Sequence, residues 1–415
     1  MQLPHDFITY TSALFGPQRW EQFVHAFEQT PPLSVRMNPF KCSNEALFEN
    51  QTPVPWCKHG YWLARRPAFT LDPLLHAGVY YVQEAGSLFL DYVLRACVQG
   101  PVSALDLCAA PGGKSTLLRG TLPPGSMLVS NEPDRRRANI LLENMLKQGH
   151  PDVLVTHNYA HEWARTKLTF DVIVTDVPCS GEGLFRRDEE TVKEWSLQNV
   201  HFCQERQRNI LKDVWPCLRT GGLLIYSTCT FNVHENEENV RWIADELGAQ
   251  IMPLPAVSPA WKITGSLLSG FDAPVYRFIP GITPSEGLFM CVLRKTSDGP
   301  QRATLPASLR EQVKKFRYLH VLSDGLPGEE IKGKEKIPSV AQALSITAAA
   351  DKYPCVQLTL QEAQRYLHRE SFVLPPAAPR GFVVVTYQGH ALGFMKNLGE
   401  RANNLYPKNW AIKKW

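Results

Sequence analysis

Two short segments of this chain hold the residue types that covalent chemistry on a flat heterocycle needs. Asp176-Val177-Pro178-Cys179-Ser180 and Ser227-Thr228-Cys229-Thr230 each close an apolar run, and together they offer two thiols and a carboxylate. Carbon 5 of cytosine is a weak nucleophile. A thiolate added at carbon 6 turns the ring into an enamine able to attack an electrophilic methyl group. An acid near N3 must offset the charge that develops, and a base must then take the proton from carbon 5 so that the thiolate can leave. Those steps ask for a nucleophilic Cys, a carboxylic acid and a second basic group. Asp176 has to carry or share a proton to donate to N3, which calls for an apolar, partly closed site. Pro178 stiffens the loop that aims the acid and the thiol. Taken singly, either cysteine reads as a buried structural thiol; the functional reading comes from their company.

That company includes Leu105-Asp106-Leu107-Cys108-Ala109-Ala110-Pro111-Gly112-Gly113-Lys114-Ser115-Thr116, which ends a strand in a Gly-rich turn and opens a helix. Small residues let backbone approach a ligand closely. Glu132 ends the next strand, where a carboxylate takes the ribose hydroxyls of a nucleoside cofactor. A nicotinamide nucleotide would want Gly-x-Gly-x-x-Gly, which is absent. A nucleoside triphosphate would want a P-loop; Gly113-Lys114-Ser115 is there, but Cys108 stands where the first glycine belongs. S-adenosylmethionine needs only a tight turn and a ribose carboxylate, and fits best. On this segment alone, a purely structural turn would look the same.

The elements that position these residues follow one rhythm. Strands are expected at Ser103–Cys108, Met127–Glu132, Val153–His157, Phe170–Asp176, Leu223–Cys229 and Phe289–Leu293, with helices between them. One helix begins near Pro133. One spans about 197–218 with a kink at Pro216. One runs about 234–247, with Glu235, Glu237 and Glu238 at its positive end and Gly248 as its stop. Such alternation implies an α/β fold with a mostly parallel sheet and ligands at the strands' carboxyl ends. Residues 1–75 read as a small α+β cap, in which Trp20, Phe23, Val24 and Phe27 mark a helix face and Leu33–Asn38 a strand. The core occupies 76–295. Residues 296–350 read as a linker and connecting subdomain, and 351–415 as a β-rich module with a hairpin around Gln388-Gly389-His390.

Composition narrows the class. The 415 residues are too many for one ordinary domain, and 44% hydrophobic content suits a packed core. No apolar run approaches the roughly 18–20 residues of a membrane span, and the first residues show no secretory pattern, so a cytoplasmic protein away from membranes is expected. Ten dispersed cysteines without Cys-x-x-Cys spacing or accompanying histidines read as reduced thiols, with no metal site. The net charge of +4 points only weakly to a polyanion; local clusters such as Arg135-Arg136-Arg137 and Arg186-Arg187 carry most of it. At the end of the chain, Tyr406, Trp410 and Trp415 stand among Lys408, Lys413 and Lys414, a mixture that suits irregular RNA.

Together these motifs resemble the RNA cytosine-5 methyltransferases, of the bacterial RsmF (YebU) type that modifies small-subunit ribosomal RNA, and the likeness covers nearly the whole chain. The resemblance implies a Rossmann-like class I methyltransferase core, a ferredoxin- or RRM-like cap and a C-terminal PUA-like RNA-binding domain. It assigns Cys108–Lys114 to the adenosylmethionine loop and Glu132 to the ribose. Asp176 is assigned to base and cofactor, Cys179 to product release and Cys229 to the covalent attack. DNA cytosine-5 methyltransferases take their nucleophile from the Pro-Cys motif, so the presence of Thr228-Cys229 favours the RNA branch. Arg36-Met37-Asn38 is similar to the family's Arg-x-Asn element, and Tyr81–Ser87 to its lead-in to the core. Where the family often has an Asp near the adenine, His157-Asn158-Tyr159 stands here, and Asn158 could serve. The implied substrate is 16S rRNA or the small subunit near the decoding region, acted on by a monomer. A tRNA substrate, an RNA-binding assembly factor and a P-loop ATPase are the competing readings.

Overall fold

The computed structural model describes residues 3–42, 47–332, 335–347 and 352–413. Nine strands form the central sheet: β1 (Ser103–Asp106), β2 (Met127–Asn131), β3 (Val153–Thr156), β4 (Phe170–Asp176), β5 (Leu218–Thr228), β6 (Ala249–Ile251), β7 (Tyr276–Phe278), β8 (Leu288–Lys295) and β9 (Val321–Ser323). Their order is β6-β8-β5-β4-β1-β2-β3-β9, with β7 alongside β8. The five inner strands β3-β2-β1-β4-β5 run parallel. The chain winds outward from β1 to β3, then crosses back to β4 on the other side. The loops at the carboxyl ends of β1 and β4 therefore diverge and leave a crevice.

Alternation along the strands supplies both faces with apolar side chains. Val172 and Val174 of β4 pack into one cluster with the helices Phe89–Cys97 and Gly113–Thr121. Ile173 between them packs into another, with Leu211 and Val214 of the helix Leu197–Val214 and Val240 and Ile243 of the helix Glu237–Leu247. Double burial of this kind explains the nearly unbroken apolar runs that marked the strands.

Several boundaries differ from the sequence expectation, each for a local reason. The helix after β2 is Arg135–Gln148; Asp134 caps it by accepting from the Arg137 backbone N–H at 2.8 Å, so Pro133 lies outside it. Pro216 does not kink a helix: Leu197–Val214 ends first, and Trp215–Cys217 forms a 3-10 turn into β5. The first part of the stretch expected as linker and connecting subdomain joins the core, while the later helix Val340–Leu344 packs with the C-terminal sheet. Its helix Pro306–Lys315 buries Leu309 and Val313 beneath the sheet, and β9 adds to the sheet edge against β3.

In place of a ferredoxin- or RRM-like succession, the N-terminal segment shows one long helix, His5–Phe27, kinked at Gly16-Pro17, followed by a four-stranded antiparallel sheet that closes with Tyr80–Val82. The helix does not lie on that sheet. Its Phe7, Phe15 and Phe23 pack with Phe185, Trp195 and Phe231, from the segments that follow β4 and β5. The C-terminal sheet runs Cys355–Gln357, Gly381–Tyr387, His390–Asn397, Ala402–Asn404, with positive φ at both Gln388 and Gly389 in the hairpin turn. Tyr406 is 0% and Trp410 8% exposed, in a cluster shared with Val35, Met37 and Tyr80 of the N-terminal sheet. These two rings are core, not the RNA-stacking surface expected of them. Trp415 and Lys414 lie outside the described residues.

Candidate active site

A cavity of about 660 Å³ opens at the carboxyl ends of β1, β2, β4 and β5. Cys108, Ala110, Pro111, Lys114, Glu132, Asp176, Cys179 and Cys229 all line it, so folding brings together most of the residues singled out by motif. Ala109, Gly112 and Gly113 shape the turn behind its wall. Gly112 sits at φ 116°, where a Cβ would press on Asn144 Cβ at 3.2 Å and Leu141 Cδ1 at 3.3 Å. Glycine there lets the turn bend into the N-terminus of the helix Gly113–Thr121.

Glu132 is buried at the turn. Its carboxylate accepts from the backbone N–H groups of Ala110 and Asp134, both at 3.2 Å, and faces Arg137 at 3.5 Å. Asn158 is elsewhere. Its Oδ1 accepts from the His320 backbone N–H at 2.9 Å, its Nδ2 is sealed from solvent, and the adjacent Tyr159 lines the cavity instead. The chain after the helix Pro306–Lys315 has claimed the carboxamide. The Arg-x-Asn element pins the junction: Arg36 donates to Thr116 Oγ1 at 2.7 Å and Gln83 Oε1 at 3.0 Å, and Asn38 to the carbonyls of Gly78 and Gln148.

At the other end of the cavity, Cys179 Sγ and Cys229 Sγ lie 3.2 Å apart. The hydrogen bond to Cys229, reinforced by burial, pushes the Cys179 thiol well above the usual range. The two sulfurs share one hydrogen bond, which either can donate. Asp176 ends β4 with its two oxygens divided: Lys114 Nζ donates to Oδ2 at 2.7 Å and Ser227 Oγ to Oδ1 at 2.8 Å. The apolar surroundings expected to hold a proton on Asp176 are absent; a cation and a hydroxyl meet it. Burial opposes the Lys114 ammonium, but the neighbouring Asp176 outweighs it and holds the ammonium above its ordinary value. Cys108, by contrast, is pushed up by burial and by the acidic groups around it.

Beneath the thiols lies a buried polar network that motif reading missed. Glu235 accepts from the Ser180 backbone N–H at 3.0 Å, Gln207 Nε2 at 2.7 Å and Asn232 Nδ2 at 2.8 Å. Glu182 accepts from Trp195 Nε1 at 2.9 Å and from Asn232 through both its backbone and its carboxamide. The loop after Cys179 and the loop after Cys229 are thereby joined through Asn232. Burial, with Glu182 nearby, lifts the Glu235 carboxyl to about 7. Sequence reading placed Glu235 and Glu237 at the positive end of a helix running about 234–247. Both are fully buried; the helix starts only at Glu237, which pairs with the equally buried Arg277. The signal was present in the run Asn232, Glu235, Asn236, Glu237, Asn239, too many amides and acids for one cap. Charged groups on the cavity wall were also missed: Glu84, Arg187, Arg206 and Glu286, with Arg187 paired to Glu286.

Comparison with known proteins converges on one group. The family model for 16S rRNA methyltransferase RsmB/F matches residues 98–294; the model for the N-terminal domain of 16S rRNA methyltransferase RsmF matches 3–85; that for the methyltransferase RsmF PUA domain matches 353–412. A ribosomal RNA small subunit methyltransferase F from Aeromonas hydrophila is 28% identical over 470 aligned positions, covering 98% of this chain and 97% of the relative. Among solved structures, a methyltransferase homolog protein from Pyrococcus horikoshii superposes with TM-score 0.57 at 26% identity, over 71% of this chain and all of that one. NSun6 from Pyrococcus horikoshii, solved with SFG, shares the fold at TM-score 0.61 and 19% identity, over 71% of this chain and 99% of that one. Rossmann-like core, N-terminal domain and PUA domain all match, and the chain belongs to the RsmB/F family of 16S rRNA methyltransferases, in its RsmF branch.

Proposed function

We propose that this methyltransferase moves a methyl group from S-adenosylmethionine to carbon 5 of a cytidine in small-subunit rRNA, through a bond between Cys229 and carbon 6. The observation that carries the reading is the pair of sulfurs 3.2 Å apart beside the Asp176–Lys114 ion pair, at one mouth. The residues at the other end fit the donor. Small side chains from Cys108 to Pro111 leave room, and Glu132 lines the cavity with acceptor capacity left for a ribose diol. When bound, S-adenosylmethionine supplies the electrophilic methyl group.

The chain's own groups do the rest. Cys229, just past the end of β5, attacks carbon 6 as its thiolate. As that bond forms, ring electrons move toward N3, which takes a proton from the Asp176–Lys114 pair, Lys114 being its reservoir. Once Cys229 sulfur is bonded to carbon, it no longer accepts from Cys179. The main hold on the Cys179 proton is gone, so Cys179 gives that proton to water at the cavity mouth and its thiolate takes the proton from carbon 5. Removal of the carbon 5 proton re-forms the ring double bond and expels the Cys229 thiolate, while N3 returns its proton to the pair.

Cys229→Ala is expected to abolish tritiated methyl transfer to rRNA. Cys179→Ala is expected to accumulate a protein–RNA adduct that survives a denaturing gel. An adduct with Cys229→Ala instead would exchange the two roles. The relatives are named as ribosomal RNA small subunit methyltransferases, which with the PUA match favours small-subunit rRNA over tRNA. Bisulfite sequencing of rRNA and tRNA from cells lacking the protein reads which loses a methylated cytosine.

A further inference from the structure

One apolar side chain at the cavity mouth is held out of the core by everything around it. Leu184 closes the 3-10 turn Glu182–Leu184 that follows Cys179, and it lines the cavity while remaining 42% exposed. Its neighbours in sequence are fixed. The Glu182 carboxylate is clamped by Trp195 Nε1, Gly183 N–H donates to the Cys229 carbonyl at 2.7 Å, and Phe185 is buried edge-on to Phe7, ring centroids 5.1 Å apart. Leu184 itself donates to the Gly181 carbonyl at 2.8 Å and accepts from Arg187 at 2.8 Å. The backbone cannot rotate this side chain inward without breaking those bonds. Gly181 and Gly183 flank it without side chains, and a Cβ on Gly183 would come within 2.7 Å of the Cys229 carbonyl. Arg187, paired to Glu286, and Arg206 line the same cavity.

A rigid apolar knob on the cavity that holds the two thiols, with two arginines in the same lining, matches what extrusion of a base requires. A base leaving a stack opens a gap, and apolar side chains inserted between base steps stabilise such openings. We infer that Leu184 is the wedge that enters the base stack of structured RNA and fills the place vacated by the target cytidine, with Arg187 and Arg206 against the flanking phosphates. The inference rests on the proposed cytidine chemistry and adds how the enzyme reaches a stacked, paired base. Leu184 is a positioning residue here; it touches the RNA beside the reacting ring.

The test compares full-length wild type, Leu184→Ala and Leu184→Met on two RNAs of one sequence, the target cytidine facing guanosine in one and an abasic site in the other. Methyl transfer by wild type to the abasic-site RNA comes first; without it, the cytidine reading itself fails. Given that transfer, kcat/KM of Leu184→Ala is expected to fall about tenfold or more on the paired RNA and less than about threefold on the unpaired one, with Leu184→Met near wild type on both. A 2-aminopurine beside the target should brighten on binding wild type and stay dim with Leu184→Ala. Equal losses on both RNAs would make Leu184 a cavity wall, and no loss on either would remove it from the reaction; both outcomes overturn the wedge.

Discussion

At the thiol end of the cavity the loops after β4 and β5 are cross-tied by buried side chains, whereas at the glycine end the turn after β1 is shaped by backbone and small residues. Glu235, Glu182, Asn232 and Gln207 fasten the first pair of loops from below. Ala109, Ala110, Pro111 and Gly112 present almost no side chain, and Glu132 meets them mainly through the Ala110 backbone N–H. The difference suits the task proposed for each end. A carbon–sulfur bond tolerates little displacement of the sulfur. A donor molecule held over many contacts tolerates more, and small residues keep its bed open.

Lys114 spans the two ends, since it rises from the glycine turn and reaches Asp176. Lys114→Ala should therefore break the comparison most severely. A loss of about 10²–10³ in kcat is expected, the scale for removing one charge-stabilising donor, with RNA binding by filter retention little changed. Next comes the network under the thiols. Glu235→Ala strands the Ser180 N–H and the amides of Gln207 and Asn232, and should cost on the order of 3 kcal/mol in denaturant unfolding along with most turnover. Glu235→Gln restores a neutral partner and should recover much of both.

The same pair of variants yields a pH signature. The folded Glu235 carboxyl, at about 7, holds a proton that the unfolded chain releases near 4.5. Its stabilisation is complete below 4.5 and is lost as pH rises to 7, so Glu235→Gln should gain stability relative to wild type across that window. Unfolding midpoints at pH 5 and pH 8 check the sign. At the glycine end the expected effect is smaller and of another kind. Glu132→Ala should weaken S-adenosylmethionine about tenfold to a hundredfold by calorimetry, while kcat at saturation falls only a few-fold. A large fall in kcat from this variant would mean that the two ends are not separate devices.

Legibility differed between these regions in the same way. The strands expected at Phe170–Asp176 and Leu223–Cys229 could be read because doubly buried parallel strands are apolar through their centres, Val172–Val174 and Leu223–Tyr226 here, and both thiols and Asp176 were found by standing at their ends. Glu235 and Glu237 could not be read correctly. A glutamate before a helix is usually a solvated partner of the helix dipole, whereas here Ser180, Gln207 and Asn232 enclose Glu235 and Arg277 meets Glu237, all from distant parts of the chain or the loop itself. Tyr406 and Trp410 failed for the mirror reason. Aromatics among lysines suggest an RNA surface, but here the C-terminal sheet needed them to close against the N-terminal one.

Residue type and spacing alone determined the strand rhythm, the carboxyl-end placement of the motifs and the pairing of two thiols with a carboxylate, because each depends on local periodicity or on chemistry within a few residues. Tertiary structure alone decided that the two sulfurs meet at 3.2 Å, that Lys114 rather than an apolar wall meets Asp176, that Asn158 serves His320 and that Leu184 stays outside. Those outcomes depend on the distance between groups far apart in the chain and on which of them water can still reach.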